Sequence, residues 1–210
     1  SGPMTNLAAF ARLHPEHYKK LKHITVMGGA FNYPGNTTPT AEWNFWVDPH
    51  AAKEVFDSAP VPITLCPLNV TERMVLTPSR LEGLVSALGG SPLAEHLEPI
   101  TRFYFEFHQD VGEGYQAQIH DLLTVMVALG QVSSSGELAT IDLDPDSELF
   151  RGTAVADVKG IWEREPNARI ISNADIDAAW ALFDASCRIH SRIATGDAEL
   201  DRLRHLRAED

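Results

Sequence analysis

The side chains best equipped for chemistry in this 210-residue chain gather at two places. The first is the run Met27-Gly28-Gly29-Ala30-Phe31, followed by Gly35-Asn36 and then Ala41-Glu42-Trp43-Asn44. Glycine permits backbone angles and close ligand approach that other residues resist. Asn36, Glu42 and Asn44 add amide donors and a carboxylate acceptor, which together suit the holding of sugar hydroxyls. An ordinary turn-rich surface loop carries the same residue types. The second place is His120-Asp121. Histidine suits proton donation near neutral pH, and aspartate suits a hard cation. An aspartate here also reads as a plain helix cap, with His120 incidental. His14, His17 and His23 sit in a charged stretch and read as solvated, whereas His108 borders the Val111 to Tyr115 loop and is a candidate lid residue. No Gly-x-Ser-x-Gly elbow, phosphate-binding loop, Cys-x-x-Cys pair or His-Glu-x-x-His is present.

Both places need rigid elements behind them, and the pattern supplies an alternation of helix-like and strand-like segments, the mark of an α/β domain. Residues 23–27 form a β-branched run that Gly28-Gly29 ends, so a buried strand feeds the first cluster. Asp48-Pro49, Thr77-Pro78 and Ser91-Pro92 each pair a capping side chain with proline at the first helical position. They predict helices through Phe56, to Leu88 and to Phe107. Residues 4–13 predict a short first helix, and 173–193 an amphipathic last one with Ile176, Ala179, Trp180, Phe183 and Cys187 on one face. Val61 to Leu68, Leu138 to Leu143, Thr153 to Val158 and Ala168 to Ser172 read as strands. Asp121 to Gly130 is apolar nearly all round, which predicts a buried helix with Gly130 at its end. Gly28 to Val47 has no clear periodicity, yet Phe31, Tyr33, Trp43, Phe45 and Trp46 make it too apolar for a disordered linker. A long irregular loop after the carboxyl end of a buried strand is where open α/β sheets bind ligands. The chain opens on a helix, so the sheet is expected to lack its opening strand. The last stretch, 195–210, reads as a charged tail.

Composition narrows the class. Seventeen Lys+Arg stand against 29 Asp+Glu, a net charge of -12. Nucleic acids and anionic membranes are bound through clustered cations, so neither is expected as a partner. No apolar run is long enough to span a bilayer, and no signal peptide is visible. Cys66 and Cys187 are too few for a disulfide framework, which points to reduced thiols in the cytoplasm.

Ser-Gly-Pro-Met-Thr-Asn-Leu-Ala (1–8), Val-Met-Gly-Gly-Ala-Phe (26–31), Gly-Asn-x-x-x-x-Ala-Glu-Trp-Asn (35–44), Asp-Pro-x-Ala-Ala (48–52) and Ile-His-Asp (119–121) follow one another in this chain. In this order and spacing they resemble the inosine-uridine preferring nucleoside hydrolase family, over residues 1–194. The resemblance implies an open, mostly parallel Rossmann-like sheet flanked by helices. It implies hydrolysis of the N-glycosidic bond of a ribonucleoside to ribose and free base, by an oxocarbenium-like transition state, with Ca²⁺ as cofactor, in a homo-oligomer (dimer or tetramer). By the same resemblance Asp121 ligates calcium and touches ribose, and the Ser1 carbonyl joins the metal. Glu42 and Asn44 hold ribose hydroxyls, Asn36 meets the 5′-hydroxyl, and Met27 lines the sugar pocket. His120 stands beside the base as a general acid.

Two departures qualify what the resemblance implies. The family's N-terminal strand with its Asp-x-Asp-x-Gly-x-Asp-Asp loop, the source of the catalytic base and two metal carboxylates, is not in the 210 residues. The expectation is therefore the C-terminal portion of a hydrolase domain, inactive as an isolated chain. The alternative is a nucleoside- or sugar-binding module or regulatory fragment without catalysis. The second departure is Asn69 in Leu68-Asn69-Val70-Thr71, where the family usually has aspartate.

Overall fold

A computed structural model describes residues 1–196, so most of the tail expected over 195–210 lies outside the described residues. The first helix, α1 (Thr5–Leu13), is followed by the single turn α2 (Pro15–Tyr18), which Pro15 opens rather than merely interrupting α1. Strand β1 (Thr25–Met27) leads into the long loop, whose end folds as a helix, α3 (Trp43–Val47), where the sequence shows no periodicity. Asp48 caps α4 (Pro49–Ser58) through the Ala51 N–H at 3.1 Å, as its sequence signal predicts. Next come β2 (Ile63–Cys66), the turn α5 (Leu68–Thr71) and β3 (Val75–Leu76). Thr77 and Ser91 cap α6 (Pro78–Leu88) and α7 (Pro92–Asp110) with their side chains. Gly89 stops α6 at φ +55°, a conformation glycine adopts without strain. The chain continues through β4 (Ala117–Gln118), α8 (His120–Ala128), β5 (Ser134–Asp144), β6 (Thr153–Asp157), β7 (Ala168–Ala174) and α9 (Ile176–Ala194).

The chain divides into two compact units, one made of Ser1–Met74 with Ile119–Asp175, the other of Val75–Gln118 with the chain from Ile176 on. The first holds a five-stranded sheet in the order β1-β2-β7-β5-β6. β1, β2 and β7 pair in parallel, with Met27 beside Cys66 and Leu65 beside Ile170. β5 runs antiparallel to β7, and β6 antiparallel to β5, so four of the five strands share one direction. The sheet is therefore α/β and mostly parallel, as expected. Its core joins Val26, Ile63, Leu65, Ile141 and Ala168 from the strands to Phe45 of α3 and to Ala52, Val55 and Phe56 of α4. Phe45 is fully buried and meets Phe56 edge-on at 5.8 Å. The second unit pairs β3 with β4 and packs α6 on α7 and on α9.

Two sequence expectations are corrected here. α8 is not buried all round: Val125 is 52% exposed and Leu129 64%, so only the Leu123, Thr124 and Met126 side faces the core. α9 begins at Ile176 rather than Asn173, because residues 173–174 still pair with β5.

The burial pattern ranks two substitutions. Phe45→Ala empties a fully buried aromatic site and is expected to cost about 3–5 kcal/mol. Asp48→Ala removes a cap that also accepts the Thr5 hydroxyl, and is expected to cost about 1 kcal/mol. Urea unfolding of both variants measures the order; equal losses would contradict it.

Candidate functional site

Parallel strands β1 and β2 end side by side, and the backbone ties their ends together. Gly28 N–H donates to Cys66 C=O at 3.2 Å, and Leu68 N–H donates to Gly29 C=O at 3.0 Å. The loop leaving β1 and the turn α5 leaving β2 are thus fixed at the carboxyl edge of the sheet, where α/β folds place their ligands.

Glu42 organises this edge. It is 2% exposed and occupies the N-cap of α3. One carboxylate oxygen, Oε1, accepts the Asn44 N–H at 2.7 Å, while Oε2 accepts the N–H of Gly29 at 3.1 Å and of Phe45 at 3.3 Å. These three bonds fill most of the roughly four lone-pair positions of a carboxylate. Gly29 presents its N–H from φ +84°, a geometry that favours glycine. Burial raises the Glu42 carboxyl above its usual range, and the three backbone N–H groups oppose that shift. The negative charge of Asp121 adds to the rise, which brings Asp121 within electrostatic reach of Glu42.

Asn44 is also buried, and its Nδ2 donates to the Met27 carbonyl at 3.1 Å, with the Met27 sulfur at 3.3 Å. Asn36 is exposed, and its Oδ1 accepts the Trp43 N–H at 2.9 Å, so it anchors the same turn from outside. Met27, Asn36, Glu42 and Asn44 thus form one hydrogen-bonded group. They are more than surface loop polars, because three of the four residues, Met27, Glu42 and Asn44, are buried. Farther out, Thr40 and Thr153 meet through their hydroxyls at 2.7 Å, and Tyr33 donates to Glu72 at 2.5 Å.

The helix α8 carries His120 and Asp121 in its first turn. Ile119 is the N-cap and no side chain caps this end, so the reading of Asp121 as a plain cap fails. Asp121 is exposed, which leaves its carboxylate accessible to a ligand. His120 is half-buried, with Nδ1 at 2.9 Å from the hydroxyl of Thr71. Ser1 is exposed ahead of α1, and no hydrogen bond joins it to Asp121 among the described residues. His108, the candidate lid residue, is instead 4% exposed inside the second unit, with Nδ1 at 2.5 Å from Glu113.

The donor set does not make a calcium site. Calcium takes six to eight oxygens, mostly carboxylates and carbonyls. Among the described residues no three of His, Cys, Asp and Glu gather closely enough to hold an ion. Asp121 and the Ser1 carbonyl alone fall well short of that number.

Nothing in the sequence by itself marks Thr71 or the partner of Gly29. Gly29 was visible within the Gly-Gly pair, but only the fold brings its N–H to Glu42. Thr71 lies in the segment noted for Asn69, with nothing local to mark its hydroxyl as a partner of His120.

A family model, "Inosine-uridine preferring nucleoside hydrolase", matches residues 1–181. The pyrimidine-specific ribonucleoside hydrolase RihA of Shewanella woodyi is 31% identical over 193 residues, covering 91% of this chain and 61% of that protein. RihA of Salmonella paratyphi A is 31% identical over 176 residues, covering 83% of this chain and 55% of its own length. Among solved structures, the purine-preferring ribonucleoside hydrolase from Gardnerella vaginalis superposes with a TM-score of 0.81 at 26% identity, over 92% of this chain and 60% of that one. This chain thus spans between half and two-thirds of the length of the proteins it matches.

The electrostatics of Glu42 set a test. Its folded value lies above the unfolded one, so the proton binds more tightly in the folded state. Its contribution to stability is therefore greatest below the unfolded value and is lost as pH rises through the folded value. Compared with Glu42→Gln, which does not titrate, the native chain is expected to gain stability as pH falls from 7 toward 5. Urea midpoints of both proteins at the two pH values read this; a gap that stays constant would contradict it.

Proposed function

Because the chain belongs to the inosine-uridine preferring nucleoside hydrolase family, we propose that it carries the ribose-holding and base-facing part of a ribonucleoside N-glycosidase. The observation that carries the reading is the convergence of Met27, Glu42 and Asn44 on one hydrogen-bonded group, with Asp121 within electrostatic reach of Glu42. In this reading Asn44 and the remaining acceptor position of Glu42 take ribose hydroxyls, Asn36 meets the 5′-hydroxyl, and Met27 walls the sugar. Asp121 contributes an accessible negative charge beside the ribose, where an oxocarbenium-like transition state develops positive charge. His120 gives a proton to the departing base, whose negative charge otherwise opposes cleavage of the N-glycosidic bond.

Calcium belongs to this proposal for the family's reaction, and the residues present do not complete its cage. Asp121 and the Ser1 carbonyl are the groups this chain would contribute. The same shortfall favours a second reading for the chain by itself, a nucleoside- or sugar-binding module without catalysis. Buried free thiols at Cys66 and Cys187 accord with a reducing cytoplasmic setting. Cys66 is pushed up to about 11, by burial above all, with the Thr124 hydroxyl opposing, and so stays protonated and unreactive. No helix among the described residues is long and apolar enough to cross a membrane.

Two measurements separate the readings. The 210-residue chain with added Ca²⁺ is expected to hydrolyse inosine and uridine no faster than background; clear metal-dependent turnover would contradict this. A chimera that joins the N-terminal segment of a RihA relative ahead of Ser1 is expected to gain metal-dependent turnover. In that chimera Asp121→Asn should lower turnover by about 10²–10³-fold for every nucleoside, the scale of removing one group that stabilises transition-state charge. His120→Ala should cost about 10²–10⁴-fold with inosine and less with uridine, since a pyrimidine lacks the imidazole nitrogen that accepts the proton. A folded chimera that stays at background, or equal His120→Ala losses on both substrates, sinks the assignment.

A further inference from the structure

Helix α7 keeps one side inside its unit, where Thr101, Phe105 and His108 are buried, and turns another to solvent. Leu93, Ile100 and Phe107 recur every seven residues, and Phe103 falls between the last two, so the four share one face. All four are exposed, Ile100 to 70% and Phe103 to 75%. Large apolar side chains gathered in one exposed stripe mark an interaction surface, whereas scattered ones do not. The charged residues of the helix are acidic in balance. Glu95, Glu98, Glu106 and Asp110 stand against Arg102, which Glu98 already holds as an ion pair. Glu106 and Asp110 follow Phe103 at three- and seven-residue spacing, so both border the stripe.

The chain supplies a segment of complementary character beside this stripe. α9 packs on α6, and Thr195 comes against Gly90: a Cβ on that glycine would meet the Thr195 methyl at 3.3 Å. Gly90 stands three residues before Leu93, so residues 197–210 follow on from a point beside the start of α7. In that stretch Leu200, Leu203 and Leu206 recur every third residue, interleaved with Arg202, Arg204 and Arg207 and one acid, Asp201. From Leu93 to Phe103 the helix rises about 15 Å. The ten steps from Gly196 to Leu206 cover about the same span if helical and roughly twice that if extended. Reach is met in either form.

We propose that residues 200–207 form a strap that docks on α7 of the same chain, with Leu200, Leu203 and Leu206 on the stripe of Leu93, Ile100 and Phe103 and the arginines toward Glu106 and Asp110. A tether this short holds the segment at an effective concentration on the order of millimolar. A second copy does not match that at ordinary protein concentrations, and a net charge of -12 on each chain opposes its approach. The surface and the strap belong to the second unit alone and owe nothing to the hydrolase reading.

The test places a nitroxide on His205→Cys of the 210-residue chain. Cys66 and Cys187 are buried, which leaves the new thiol as the reactive one. Nitrogen-15 amide spectra then read proximity, because the unpaired electron broadens nearby signals. The Ile100 and Phe103 signals are expected to be lost, and to return in Leu203→Glu, which puts a charge on the apolar side of the strap. Both substitutions lie within 197–210, and unchanged signals from the five-stranded sheet check that the fold is kept. A sample in which the nitroxide and the nitrogen-15 sit on different molecules should show no loss. Signals that persist in the nitroxide-bearing chain, or that stay lost in Leu203→Glu, would overturn the proposal. So would equal losses in the mixed sample, where a second copy is the occupant.

Discussion

A single buried carboxylate holds the candidate site in shape. Glu42 takes backbone N–H groups from both ends of its loop, Gly29 at the start and Asn44 and Phe45 at the finish. A carboxylate pulled out of water costs several kcal/mol unless its oxygens are hydrogen-bonded. The three N–H groups offset that cost only while the loop keeps this closed form. Closing the loop delivers Asn44 to the Met27 carbonyl and seats Phe45 against Phe56 in the core. The site and the hydrophobic core are consequently joined where the Glu42 carboxylate accepts the Phe45 N–H.

The fold's contribution is to provide two fixed strand ends for this clamp. β1 and β2 are short, three and four residues, and each is almost wholly buried. Bonds from Gly28 to Cys66 and from Leu68 to Gly29 continue the pairing past the last strand residues. The glycine loop and α5 leave the sheet already tied, and α5 in turn carries Thr71 to His120. A chain of ordinary hydrogen bonds thus runs from the sheet edge to the imidazole.

What was legible in the sequence was local. Asp48-Pro49, Thr77-Pro78 and Ser91-Pro92 each start a helix where their side chains say, because the cap and the proline act within one turn. Residues Val75–Leu76 and Ala117–Gln118 carry no such signal: two-residue strands exist only because a partner 41 to 43 residues away offers the complementary edge. α3 was hidden for a related reason, since its cap is a glutamate whose bonds reach to Gly29. Met27, Asn36, Glu42, Asn44, His120 and Asp121 were visible as types in register, whereas Thr71 was not. Their convergence was not, and it depends on pairings across the loop and across the sheet.

The loop's second anchor is steric. A Cβ on Gly28 would run into the Phe45 ring, and one on Gly29 would sit 2.8 Å from Phe31 and 3.1 Å from Phe45. Phe45 thus fills the space that the two glycines leave open, and each side of the contact defines what the other is allowed to be. Substitutions at these positions are therefore epistatic: Gly28→Ala clashes beside phenylalanine, and a smaller side chain at residue 45 would relieve that clash.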